Sequence, residues 1–135
     1  MLTEVLYKRK GVVDMKENHL FLEESIHRLF EITPVPIALS FPDGKLEYVN
    51  PALKRLLGYE DDEIYSDEVT ITHLDDIHVN EAIRKKLTQQ PFIPIQVEKR
   101  YRHKLGHTVF VQLNIVAQAD KDNLVKRYVS QLIDL

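Results

Sequence analysis

The stretch Val35–Ile64, VPIALSFPDGKLEYVNPALKRLLGYEDDEI, decides the fold. Val35 to Phe41 is a short apolar run that reads as a buried strand, with Val35, Ile37 and Leu39 on one pleat face. Pro42-Asp43-Gly44 turns the chain. Proline presets the first corner, the Asp side chain bonds its own backbone, and glycine takes positive φ without strain. Leu46 and Tyr48 return as a second strand, completing a hairpin. Asn50 then offers a side-chain acceptor to the first N–H groups of a helix, and Pro51 follows where no N–H is missed. Leu53, Leu56 and Leu57 share one helical face, and Gly58 is placed to close the helix as a left-handed cap.

Downstream, Glu60 to Ile64 reads as a loop or single helical turn. Ile71-Thr72-His73-Leu74-Asp75 contains a capping box, with Thr72 as N-cap and Asp75 answering it. Ile77 to Gln89 is helical, with Val79, Ala82, Ile83 and Leu87 on one face and a Glu81–Lys85 pair on the other; Pro91 ends it. Three strands follow. The first alternates Ile93, Ile95, Val97 and Tyr101 with Gln96, Glu98, Arg100 and Arg102. The second sets Val109, Val111, Leu113, Ile115 and Ala117 against Thr108, Gln112, Asn114 and Gln118. The third carries Val125, Val129 and Ile133 on one face and Tyr128 and Leu132 on the other, with turns at Lys104-Leu105-Gly106 and Asp120-Lys121-Asp122-Asn123. Phe110 and Tyr128 are expected on the sheet's outer face. The class is α+β with one antiparallel sheet.

Upstream, Asp14 to about Ile32 is an amphipathic helix: Met15, Leu22 and Leu29 recur at heptad spacing, and Ile26 and Phe30 widen the stripe. That stripe either packs on its own domain or pairs with a second copy. Residues 1–13 are ambiguous, since Leu2, Val5 and Leu6 have helical spacing, Gly11 interrupts, and Val12-Val13 favours extended backbone.

These residues resemble a PAS domain. The likeness rests on Pro36-Ile37-Ala38, Asp43-Gly44, Val49-Asn50, Ala52 and Leu56-Leu57-Gly58-Tyr59, and continues through Thr72 to Asp76, Glu98 to Tyr101, Lys104-Leu105-Gly106 and Ile133-Asp134-Leu135. It implies a five-stranded antiparallel sheet with short helices cupping one face and an N-terminal flanking helix near the other. It divides the chain into a flanking segment, 1–32, and a PAS domain, 33–135. In PAS domains a C-terminal Asp-Ile-Thr couples the last strand to an output helix. Ile133-Asp134-Leu135 matches its start and departs from it at Leu135, so Asp134 is the relay residue the resemblance suggests. On this reading the chain is an excised segment of a longer protein whose effector follows it.

Composition limits the chemistry. At 135 residues with 44 % hydrophobic and 29 % charged residues, the chain is one soluble-type domain. A net charge of −3 provides no basic field for nucleic acid or an anionic membrane. Absence of cysteine excludes disulfides, thiolate catalysis, zinc–thiolate and iron–sulfur sites, and the cysteine-dependent photochemistry of some PAS light sensors. No apolar run reaches the ~20 residues of a membrane helix and no signal peptide precedes the domain, so the expected location is cytoplasmic.

His73, Asp75, Asp76 and His78 cluster as metal ligands do. Yet the two histidines lie ~140° apart on a helix, and the aspartates suit a helix start. No metal site follows. Some PAS sensors hold haem through a histidine on the helix crossing the pocket, which makes His78 the candidate ligand; its competing reading is a solvent-facing side chain. A non-covalent flavin leaves no short signature, so the cofactor stays open between haem, flavin and none. His27 is followed by Arg28, without the Glu-and-Pro context of the histidine that kinases phosphorylate, and no phosphate-cradling glycine loop occurs. The chain is therefore not read as an enzyme. The expected function is a sensory and dimerisation module of a signalling protein, foremost a bacterial histidine kinase. Its dimer would form through Met15, Leu22, Ile26, Leu29 and Phe30, and it would relay ligand or partner binding to the effector. Alternatives are a PAS module of a diguanylate cyclase or phosphodiesterase, and a stand-alone small-molecule-binding protein.

Overall fold

A computed structural model of the chain describes residues 15–60, 62–66 and 70–135, and for residues 15–19 the backbone alone. The expectations for residues 1–13 lie outside these. The chain divides into two compact units between Ile32 and Thr33. The first contains helix α1, Met15–Ile32. On it Leu22, Ile26 and Leu29 are exposed, Phe30 is partly buried, and the Met15 side chain is outside the described set. His27 Nε2 lies 3.5 Å from Glu31 Oε1, an exposed i, i+4 pair.

The second unit runs β1 (Ile37–Ser40), β2 (Leu46–Val49), α2 (Pro51–Leu57), a 3₁₀ turn (Glu63–Tyr65), a second 3₁₀ turn (Leu74–Asp76), α3 (Ile77–Gln89), β3 (Ile95–Arg102), β4 (Thr108–Ala119) and β5 (Val125–Asp134). The five strands form one antiparallel sheet in the order β2-β1-β5-β4-β3. First and last strands are thus neighbours, with Ala38 opposite Ser130 and Ser40 opposite Tyr128.

Local chemistry produces the hairpin and the helix after it. Gly44 sits at φ 91°, its N–H donates to Phe41 O at 2.8 Å, and the Lys45 N–H donates to Asp43 Oδ1 at 2.9 Å. Asn50 caps α2 from an extended backbone, with Oδ1 accepting from Leu53 N–H at 3.0 Å. The same oxygen also accepts from Ile37 N–H at 2.9 Å, and Nδ2 donates to Val35 O at 2.8 Å. One fully buried amide therefore fastens the helix start to the first strand. Gly58 ends α2 at φ 79° with its N–H on Lys54 O.

The core lies between the inner sheet face and the helices. Leu53, Leu57 and Leu87 of α2 and α3 are fully buried beside Val111, Leu113 and Leu132 of the sheet. Each contributes roughly 1.5–3 kcal/mol by leaving water. Three expectations, two on strands and one on a helix, need correction. Along β1 the core-facing residues are Ala38 and Ser40, because β1 pairs Ala38 with Ser130 and Ser40 with Tyr128; Ile37 is buried as well, and Leu39 is half-buried. Tyr128, expected outside, is 3 % exposed on the inner face, opposite Ala117. On α3, Ala82 is exposed and Asn80 takes part in the inward face with Val79, Ile83 and Leu87. The outer face combines Phe110, Val116 and Ile133 with an amide ladder, Gln96 to Asn114 at 2.9 Å and Asn114 to Gln131 at 3.4 Å.

Each edge strand meets a neighbouring segment that takes up some of its free backbone groups. At β2 the Tyr65 hydroxyl accepts from Val49 N–H at 2.7 Å. At β3 the chain from Ile71 to Asp76 lies alongside: Arg102 N–H donates to Ile71 O at 2.7 Å and His73 N–H to Arg100 O at 3.1 Å. This edge pairing overrides the expected capping box. Thr72 is held extended in a bridge opposite Tyr101, and the cap falls to His73, whose Nδ1 accepts from Asp75 N–H at 3.1 Å.

Candidate functional site

Between the inner sheet face and α3 lies a cavity of about 470 Å³, within the ~300–1,000 Å³ range of small-molecule sites. Its apolar walls come from Leu46, Ile64, Ile71, Ile83, Leu113 and Ile115. Polar groups enter from Ser40 of β1, Asn80 and Arg84 of α3, Lys99 and Tyr101 of β3 and Ser130 of β5, and from Lys45, Ser66, Thr70 and Thr72 of the connecting segments.

Lys99 is the unusual member. The inward parity of β3 runs Ile95, Val97, Lys99 and Tyr101, and pairing with Val111 and Val109 of β4 fixes Lys99 and Tyr101 on the core side. Lys99 is only 6 % exposed. Its Nζ donates to Asn80 Oδ1 and, at 3.3 Å, to the Tyr101 hydroxyl, and it sits 4.4 Å from the Tyr101 ring centroid. Asn80 Nδ2 in turn donates to Thr72 Oγ1 at 3.2 Å. A polar chain thus crosses from the edge segment through α3 to the sheet.

Burial sets the protonation of these groups. It depresses the Lys99 ammonium to about 8, with Asp76 pulling the other way and Arg84 reinforcing the fall. It pushes the Tyr101 phenol upward, which keeps that hydroxyl a neutral donor. Beside them, the hydrogen bonds from Arg100 hold the Asp76 carboxyl down at about 2. Asp76 Oδ2 accepts from Arg100 N–H at 2.8 Å and Nε at 3.1 Å, and Oδ1 from a terminal guanidinium nitrogen at 2.7 Å. That fork ties the start of α3 to β3 and spends both carboxylate oxygens away from Lys99.

The residues singled out from the sequence fall elsewhere. His78 is exposed on the first turn of α3, whose cavity-side residues are Ile77, Asn80, Ile83 and Arg84; no histidine lines the cavity among the described residues. The structure does not bring His78 and His73 together with the aspartates as a ligand set: among the described residues no cluster of His, Asp or Glu could hold a metal. Asp134 is exposed at the end of β5, the strand that also carries the cavity residues Tyr128 and Ser130. Lys99 itself escaped the sequence reading, which passed from Val97 to Tyr101. The signal was present: a lysine at the inward parity of an alternating apolar strand.

No described helix is long and apolar enough to cross a membrane. Among curated proteins, none matches the chain. Solved structures do. A PAS domain from Colwellia psychrerythraea superposes with a TM-score of 0.72 at 17 % identity, covering 84 % of this chain and 97 % of that one. A domain of a sensory box sensor histidine kinase/response regulator from Geobacter sulfurreducens does so at 0.68 and 23 %, covering 87 % and 98 %. A LOV protein from Rhodobacter sphaeroides gives 0.70 at 16 %, covering 91 % and 69 %. At these identities the likeness is one of fold. The sequence of residues 34–135 matches the family model for the PAS domain, and with the five-stranded antiparallel sheet this establishes that the chain belongs to the PAS domain family.

Proposed function

We propose that the chain is the sensory module of a cytoplasmic signal-transduction protein, in which a small molecule in the cavity biases an effector domain beyond Leu135. The observation that carries the reading is the 470 Å³ cavity with a buried ammonium on its wall, in a fold shared with a sensor kinase domain. Filling such a cavity shifts the balance of two packings only if the ligand binds one of them better. Strand β5 offers the path to the effector, since Tyr128 and Ser130 line the cavity and Asp134 ends the same strand. The parent we favour is a bacterial histidine kinase, and the chain itself is not catalytic.

Dimerisation belongs to the same proposal. Leu22, Ile26 and Leu29 form one exposed face of α1, and a second copy would bury it with two-fold symmetry. Native mass spectrometry of the freshly purified chain tests both halves. The expected result is a homodimer carrying one small molecule per chain, and Leu22→Glu with Ile26→Glu should convert it to a folded monomer. Identical native and denatured masses, with no thermal shift from any member of a metabolite library, would remove the ligand-sensing reading. A chain that is monomeric before mutation would remove the dimer.

A further inference from the structure

We propose that the cavity receives a small organic acid, its carboxylate held by the Lys99 ammonium and the Tyr101 hydroxyl, with its apolar body against Ile64, Ile83, Leu113 and Ile115. The inference rests on the ligand-sensing reading and deepens it by naming the ligand class.

Unspent donors come first. An ammonium has three N–H donors. Two of those on Lys99 go to Asn80 Oδ1 and the Tyr101 oxygen. Because that phenol oxygen accepts from Lys99, its own O–H is directed elsewhere, and burial keeps the proton on it. Two donors therefore stand 3.3 Å apart, on one strand, facing one cavity. Two adjacent donors suit the paired oxygens of a carboxylate.

Charge comes second. Among the described lining residues Lys45, Arg84 and Lys99 are basic and none is acidic. The nearby carboxylate of Asp76 is committed to Arg100 through both oxygens, and Lys99 makes no ion pair with it. Arg84 likewise has no acidic partner among the described residues. Its guanidinium rests over the β1–β2 turn, where a Cβ on Gly44 would meet Nη1 at 2.7 Å. A buried ammonium with no anion beside it among the described residues is costly to the fold, and groups of this kind concentrate at functional sites. An anionic ligand would supply the missing charge. The walls supply what else the ligand carries: Ile64, Ile83, Leu113 and Ile115 offer an apolar surface for its body.

The experiment is isothermal titration of the full chain with matched pairs that differ only at the headgroup: hexanoate against hexanamide, and phenylpropionate against phenylpropionamide. The acids should bind at least about tenfold more tightly than the amides, as a charge-assisted hydrogen bond contributes that much. Lys99→Met should erase the acid preference, Lys99→Arg should retain part of it, and Tyr101→Phe should reduce it by less than Lys99→Met. Thermal unfolding of each variant identifies those that fold, and Tyr101→Phe, which deletes one oxygen, keeps the test available if Lys99→Met does not. Equal affinity for acid and amide, or an acid preference that survives Lys99→Met, would overturn the inference while leaving ligand sensing intact. If no probe binds, this inference falls, and ligand sensing falls with it only if the purified chain carries no small molecule and no member of the metabolite library shifts its unfolding.

Discussion

Replacing Asn50 by alanine probes the joint on which the domain turns. Oδ1 accepts from the N–H groups of Leu53 and Ile37, and Nδ2 donates to Val35 O, all within 3.0 Å and with the residue fully buried. Loss of the helix cap alone costs about 0.5–2 kcal/mol. The Ile37 N–H, left without its acceptor in a site closed to water, adds about 1–3 kcal/mol. Allowing for partial relaxation, Asn50→Ala should lose about 2–4 kcal/mol, on the order of 10–20 °C in Tm for a domain of ~100 residues. Urea unfolding followed by far-ultraviolet circular dichroism is the assay, with the slope m expected to stay unchanged. Asn50→Asp keeps the acceptor oxygen but buries a carboxylate whose second oxygen faces Val35 O, so it should also be destabilised, and increasingly so as the pH rises and the group ionises. A loss below about 0.5 kcal/mol for Asn50→Ala, under the smallest cap effect, would refute the idea that this amide joins strand and helix.

Two pH-linked predictions accompany it. Asp76→Asn removes the charge from the fork to Arg100 and should cost about 1–2 kcal/mol, the lower part of the charged hydrogen-bond range because the Arg100 side chain is 37 % exposed. Since the folded carboxyl titrates at about 2 rather than 3.8, its contribution is complete above the unfolded value and is lost as pH falls toward 2. The acid limb of a stability–pH curve should therefore be shallower in the variant, and superimposable limbs would discount the pair. Lys99 works in the opposite pH region. A lysine lowered from 10.5 to about 8 binds fewer protons folded than unfolded, so stability should rise between those pH values, by an amount on the order of 3 kcal/mol. Lys99→Met should lack that rise, and a parent chain whose stability stays flat from pH 8 to 10 would contradict the buried ammonium.

Scaffold and site differ in how far they can be read from the chain. The Asp43-Gly44 turn, the Asn50 cap, the Gly58 stop and the alternation of β4 are each decided within a few residues, and each appears in the structure where local chemistry places it. What failed did so through contacts between distant segments. Thr72 has the residue type and spacing of an N-cap, but an unpaired strand edge at Tyr101 captures it first. Tyr128 alternates correctly, yet which of its faces meets the core is set by Ser40 across the sheet, a partner far away in the chain.

The site is harder for the same reason, carried further. Thr72, Asn80, Lys99 and Tyr101 touch one another only because an edge segment, a helix and a strand close around one cavity. Residue type misleads here. His78 attracted attention as a ligand-forming side chain, whereas two residues on, the plainer Asn80 has the helix phase that reaches the cavity. Phase and parity are nevertheless in the sequence. Asn80 precedes Ile83 by one turn and shares a face with Leu87, and Lys99 stands two residues from Val97 and two from Tyr101. A polar residue that keeps step with its apolar neighbours must be buried, and burial of an amine requires compensation. Core phase, rather than reactivity by type, is the sequence feature that separates Lys99 and Asn80 from His78.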